Sequence, residues 1–302
     1  MPLKASRARN VRAITRAKVN LSLEVIRRRG DGFHEIETIF QSISLADDLN
    51  IEWNGDGAIE ISCSDPDIPV DDNNLCHRAL VAMRRYGGED LGARIHIEKR
   101  IPSSAGLGGG SANAAGVILA VDRALKLRLP IGKLEGVAAR LGSDIPFMLH
   151  GGTMLGRGRG EELTRLDEMK RCFFTIVKPP VSISTAWVYD HLNLALTKHK
   201  LRINLRTVNA VLARFPGVTA SFRNALEDVV CPAHPVVSGI LDELLATRPS
   251  FASMSGSGSA LYAIYDNEAQ AVETAERFSV REFYSSVATP AKRAVEISEL
   301  EG

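Results

Sequence analysis

Residues 13–28, AITRAKVNLSLEVIRR, alternate apolar and polar side chains over much of their length. That is the period of a strand with one face buried, and Gly-Asp-Gly at 30–32 supplies the turn that ends it. The alternation resumes in LNIEW (49–53) and GAIEISCS (57–64), and NGDG between them predicts a hairpin and an antiparallel sheet. Over 72–88, DNNLCHRALVAMRRYGG, the period changes. Leu75, Ala79, Leu80 and Met83 fall on one side of a helix, Asn73 or Asn74 stands at its N-cap, and Gly87 follows its end. ARIHIEKRIP (93–102) alternates as a strand and leads straight into SSAGLGGGSANAA (103–115). From Ser111 to Leu125 the residues are small and apolar, which predicts a helix buried on most sides, and a second helix over 131–141 stops at Gly142.

Composition shifts near 151–170, where GGTMLGRGRGEEL reads as a further hairpin, and a domain boundary just after it divides the chain into 1–165 and 166–302. Beyond it, FFTIVKPP is a strand stopped by Pro179 and Pro180, and STAWVYDHL starts a helix. The region 203–248 reads as helices broken at Pro216 and Pro232. SFASMSGSGSALYAIYDN is a strand pair around a second glycine loop, followed by the amphipathic helix AQAVETAERF. Strands and helices mix without regular alternation, so the fold class is α+β.

The chain is long enough, at 302 residues, for two domains, and 45% hydrophobic with 24% charged residues excludes the disordered, collagenous and membrane classes. With 37 Lys+Arg against 36 Asp+Glu the net charge is +1, so no overall field recruits nucleic acid or a membrane surface. Met1–Arg12 is basic but lacks the apolar segment of a secretory signal, and reads as a frayed terminus. Cys63, Cys76, Cys172 and Cys231 are scattered, which argues against zinc and disulfides and for a reducing cytoplasm.

The loop at 103–115 joins glycine to a helix start. Glycine lets a backbone approach a ligand closely, and a helix N-terminus offers unpaired N–H groups, so the pair forms an anion cradle suited to phosphate. It is neither familiar nucleotide motif: no Lys precedes Ser111 as in a P-loop, and counting from Gly106 the last position of a dinucleotide fingerprint is Ser111. By itself such a loop is equally a tight connection.

Three further segments accompany it in order: AKVN, GSDIP at 142–146 and SMSGSGSA at 253–260. With these the chain resembles the galactokinase, homoserine kinase, mevalonate kinase and phosphomevalonate kinase superfamily. Within it, AKVNLSL, RRGDGFHEIETIFQSISLADDL, NNL, IPSSAGLGGGSANAA, LGSDIPFMLHGGT, GRGEEL and SGSGSALYAIY are similar to the branch that phosphorylates diphosphocytidyl methylerythritol in the non-mevalonate isoprenoid route. These segments span about 17 to 265, and G-F-H-E and S-D-I-P-F are specific to that branch.

The resemblance implies a two-domain small-molecule kinase fold with the active site in the cleft between domains, 1–165 carrying the ATP-binding phosphate loop and 166–302 the second glycine loop. It implies ATP and Mg2+, and phosphorylation of the 2-hydroxyl of a small-molecule substrate. Asp144 is then the base and Lys18 the cation beside it; their plainer readings are a turn or cap Asp and an exposed strand Lys. Pro102, Ser103, Ser104, Ala105, Gly106, Leu107, Gly108, Gly109, Gly110, Ser111 and Ala112 are implied to wrap the phosphates. The Ser111 hydroxyl faces phosphate or magnesium, while no protein carboxylate is assigned to the metal. Asn74 is either an adenine contact or a helix cap.

On the acceptor side, Phe33 and His34 are implied to grip cytosine by stacking and hydrogen bonding, with Phe33 standing where the branch usually has Tyr. Tyr189 or Trp187 forms the other wall, or either is a core or rim aromatic; Thr185 supplies a polar contact and Asn20 assists at the acceptor hydroxyl. Gly256 and Gly258, with Ser255 and Ser257, close over the substrate diphosphate, while Arg157 and Arg159 read as a solvated hairpin tip. No nucleic acid or membrane partner is expected, and the chain acts as a monomer or homodimer. The rivals are a kinase of another small alcohol and an anion-binding module without chemistry.

Overall fold

The computed structural model describes residues 10–192, 208–210, 212, 222–281 and 283–300. Its spine is an antiparallel hairpin of two long strands, β1 (Val11–Arg28) and β2 (His34–Asn54). The register shifts between Arg16 and Lys18, Asn20 and Ser22, and Val25 and Arg27, irregularities that coil the ribbon and re-aim side chains. β3 (Ile59–Cys63), β4 (Gly92–Glu98), β5 (Thr153–Arg157), β6 (Glu162–Arg165) and β11 (Val295–Glu299) complete the first sheet. Its order is β11-β1-β2-β4-β3, with β5 also on β2 and β6 on β5. The second sheet has the order β10-β7-β9-β8, built from β7 (Phe173–Lys178), β8 (Phe251–Met254), β9 (Leu261–Tyr265) and β10 (Tyr284–Ala288). The α+β class is as expected.

The helices are α1 (Leu75–Gly87), α2 (Gly109–Ala124), α3 (Ile131–Leu141), α4 (Ile145–His150), α5 (Thr185–Asp190), α6 (Glu227–Ala233), α7 (Pro235–Ala246) and α8 (Glu268–Ser279). α1 buries Cys76, Ala79, Leu80 and Met83, its helical stripe, against α2 and the first sheet. α2 is buried along most of its length because Ala112, Ala114, Ala115 and Ala120 let it pack closely between α1, α4 and β1. The second sheet packs on α6, α7 and α8 through Val230, Ile240, Leu244 and Phe278.

Several expectations are corrected. NGDG does not close a hairpin: β4 lies between β2 and β3, antiparallel to the first and parallel to the second. The turn residues are there, but β4 takes the backbone groups that a hairpin would pair, as Ala93 N–H donating to Ala58 O illustrates. Gly87 is the last residue of α1, and Gly88, at φ +97°, caps it by donating to Arg84 O. Pro232 lies within α6; the break comes at His234, where Pro235 opens α7 at a position that needs no N–H. Pro216 and the chain's first nine residues lie outside the described residues. β10 and β11 had no counterpart in the sequence reading, and β11 pairs with β1.

Candidate active site

β1 alternates as expected, but from Ala17 to Val25 both of its faces are buried. Its polar positions Lys18, Asn20 and Ser22 therefore meet protein, and Lys18 is only 3% exposed. Burying an ammonium is tolerated only with a full set of partners. Lys18 Nζ donates to Asn20 Oδ1 at 2.7 Å and to Gly106 O at 2.8 Å, and lies 3.4 Å from Asp144 Oδ2. Three acceptors match its three hydrogens. Asn20 is oriented in turn, its Nδ2 donating to Thr38 Oγ1.

Asp144 stands just before α4, in the N-cap position, yet its side chain makes no capping hydrogen bond. The second residue of that helix is Pro146, which has no N–H to offer. The carboxylate is left to Lys18 and to solvent, 32% exposed on the wall of a cavity of about 480 Å³. The plainer reading as a capping Asp is thus set aside, as is that of Lys18 as an exposed strand residue.

The glycine loop forms the wall between that cavity and a second, of about 350 Å³. Gly106 and Gly108 line both. Both have positive φ, +74° and +71°, which strains any side chain there; a Cβ on Gly106 would strike Ser255 O, and one on Gly108 would displace Met148 Cε and lie 3.2 Å from Lys18 Cγ. Gly108 is the left-handed N-cap of α2, so the amides of Gly109, Gly110 and Ser111 have no acceptor within the helix. All three residues line the second cavity, as do Pro102 to Ala105 and Leu107. Ala112 is buried and its N–H is already bonded to Gly108 O, which removes it from the cradle. Asn74 lines the same cavity, but its amide is committed: Oδ1 accepts from Cys76 N and Nδ2 donates to Pro69 O. Its side chain is the cap of α1.

At the other end of the larger cavity, the His34 imidazole stacks on the Tyr189 ring at 5.0 Å. Burial, with help from Arg28, holds the His34 pKa below its ordinary value, and burial pushes the Tyr189 phenol up. Phe33 is half exposed at the mouth with the Arg159 guanidinium 4.8 Å from its ring centroid. Arg159 lines the cavity, so its reading as a solvated tip is corrected. Thr185 lines it as well, sharing a 2.8 Å hydrogen bond with Ser257 Oγ. Trp187 does not: it packs on His191 and His234. Of the second glycine loop, Gly256 and Ser257 reach the cavity, while Gly258 supports the turn by donating to Ser255 O.

Three polar groups around these loops, Asp47 and Asn224 buried and Glu227 half-buried, were missed by sequence reading. Asp47, fully buried on β2, accepts from Lys99 Nζ and from the amides of Arg100 and Ile101, fixing the corner that enters the glycine loop. Asn224 and Glu227 bond to the second glycine loop and the strand before it. Burial raises the Glu227 pKa. An Asp-Asp pair reads as a strand end, and nothing in the local pattern around 224–227 marks those side chains as turned inward.

Residues 74–152 match the family GHMP kinases N terminal domain and residues 214–285 match GHMP kinases C terminal. The 4-diphosphocytidyl-2-C-methyl-D-erythritol kinase of Geobacter sulfurreducens is 38% identical over 89% of this chain and 95% of its own length. The chain belongs to this kinase family. The kinase of the same name from Alkaliphilus metalliredigens is 37% identical over 90% of the chain and 94% of its own. A crystal structure of 4-(cytidine 5'-diphospho)-2C-methyl-D-erythritol kinase superposes with a TM-score of 0.79 at 30% identity, covering 93% of this chain and 99% of that one. Homoserine kinase from Cytophaga hutchinsonii, 18% identical with a TM-score of 0.68 over 97% and 98% of the two chains, shares the fold. Membership in the diphosphocytidyl-methylerythritol kinase family makes the chain a small-molecule kinase.

Proposed function

We infer that this kinase transfers the terminal phosphoryl group of ATP to the 2-hydroxyl of 4-diphosphocytidyl-2-C-methyl-D-erythritol. The observation that carries the inference is the meeting of two cavities at the bare peptide of Gly106 and Gly108, with the Lys18–Asp144 pair on the acceptor side of that lip. In this reading residues 1–165 carry the donor cavity and 166–302 the second glycine loop.

The nucleotide phosphates lie on the free amides at the start of α2, where the helix dipole favours negative charge. Lys18, reaching the lip from below, neutralises charge on the transferring group. As the substrate oxygen bonds to the γ-phosphorus, its proton passes to the Asp144 carboxylate. The bond to the bridging oxygen breaks, and its electron pair leaves with ADP. Bound with the nucleotide, a magnesium ion would supply positive charge to the phosphate oxygens. The Ser111 hydroxyl is the protein group placed to reach it. Asp47 is spent on its own partners, and no cluster of three His, Cys, Asp or Glu side chains among the described residues could cage an ion. Such a sparse donor set fits magnesium, which keeps much of its water and leans on phosphates.

At the far end a neutral His34 offers one donor and one acceptor to the cytosine edge, and Tyr189 and Phe33 supply aromatic surface. Arg159, paired with Glu161 at 3.4 Å, brings a second cation to the same cavity for the diphosphate. The test is ADP release with this substrate against mevalonate and homoserine. Turnover confined to the diphosphocytidyl alcohol and competitive inhibition by CDP are expected; turnover of another alcohol with a flat CDP titration contradicts the reading.

A further inference from the structure

We propose that Asn224 is a positioning residue for phosphoryl transfer, holding the second glycine loop against Lys18 although it touches neither cavity. The proposal rests on the function inferred above. Asn224 is 2% exposed, and its amide has one consistent orientation: Nδ2 donates to Met254 O at 2.8 Å and Gly256 O at 2.7 Å, while Oδ1 accepts from Leu226 N at 3.0 Å. Its backbone is tied to β1, where Leu23 N donates to Arg223 O and Ala225 N to Leu23 O. The segment at Asn224 thus joins the strand that carries Lys18, through its backbone, to the start of α6 and the loop, through its side chain.

The loop end of this linkage is close to the chemistry. A Cβ on Gly256 would lie 3.3 Å from Lys18 Nζ and 3.4 Å from Asn20 Oδ1, so the Gly256 backbone forms one wall of the ammonium's enclosure. Ser255 Oγ donates to Gly106 O, the same oxygen that accepts from Lys18. If Met254 O and Gly256 O lose their shared donor, the loop shifts and the ammonium loses its packing on that side. A displacement near 1 Å costs on the order of a hundredfold in rate when it misplaces a group at the reacting centre. The two glycine loops touch at Ser255 Oγ–Gly106 O and Ala260 N–Ala105 O, but Asp47 fixes the entry to the donor cavity through bonds that Asn224 does not share, so loss of Asn224 should act on turnover more than on nucleotide binding.

The experiment uses the full chain, with steady-state kinetics and amide hydrogen exchange on wild type, Asn224→Ala, Asn224→Asp and Ser253→Ala. Both Asn224 variants lose the donors, and the near-isosteric Asp keeps the acceptor for Leu226, so it serves if the Ala variant does not fold. The expected result is a fall in kcat of at least about tenfold with both KM values within about twofold. The Ser255 and Gly258 amides should exchange about tenfold faster in the same variants. Ser253→Ala removes a hydroxyl bonded to Glu227 on the same strand without touching Gly256, and kcat should stay within about twofold. Unchanged loop exchange, a rise in KM in place of the kcat loss, or an equal kcat loss in Ser253→Ala overturns the proposal. An inactive wild type would overturn the function inferred above instead, and the exchange data would still decide whether Asn224 holds the loop.

Discussion

A lysine on an alternating strand is ordinarily the solvent-facing half of the pattern, and Lys18 shows when that reading fails. The polar positions of β1 alternate as they should, but protein covers both faces of the strand over its inner half, so alternation there separates core from the wall of the larger cavity. Periodicity reports which residues share a face and is silent about what that face meets. His34 gives the residue-scale prediction. Burial, with help from Arg28, holds its pKa below the ordinary 6.5, so the imidazole is mostly neutral at neutral pH and gains charge as pH falls. Cytidine affinity should therefore be flat from about pH 7 to 8 and weaken at lower pH, and His34→Gln should remove this dependence; calorimetric titration across pH checks it. A cytidine affinity that weakens on raising pH contradicts the assignment.

At the scale of elements, several helices and most strands were legible, because α1 carries its stripe and Asn74 cap, α2 its run of small apolar residues and α3 its stop at Gly142 locally, whereas α4 and the true break between α6 and α7 were not. β3 was legible as a strand and misread in its pairing, since a turn-like NGDG is compatible with a hairpin or with a strand arriving between its flanks. Only β4, some 30 residues later, decides which. The two glycine loops illustrate the same limit: each was visible as a loop, but not that they pack on one another. Gly106→Ala places a Cβ against Ser255 O at a φ of +74°, which should cost about 2–4 kcal/mol from backbone strain and overpacking together. Gly136→Ala, inside α3 with nothing within 4 Å, should stabilise by about 0.5–1 kcal/mol. Urea unfolding of the two variants should therefore give shifts of opposite sign; shifts of the same sign contradict the packing described.

For the whole molecule, the sequence motifs named the main parts of the site, and the fold brings together residues separated by most of the chain: Lys18, Gly106, Asp144 and Gly256 meet around one ammonium. What the motifs could not convey was the support beneath them. Asp47, Asn224 and Glu227 act through hydrogen bonds whose partners are distant in sequence, and a carboxylate or amide turned inward has no local signature. The claim on which the account depends is that a carboxylate on one side of the glycine lip takes the proton from an alcohol while the nucleotide is held on the other. Asp144→Asn tests it directly, because the amide preserves the shape of the carboxylate but cannot accept that proton. In single-turnover assays with ATP binding measured in parallel, the transfer rate should fall by about a hundredfold or more while the Kd for ATP stays within about threefold. A variant that transfers phosphate at close to the wild-type rate would contradict the account.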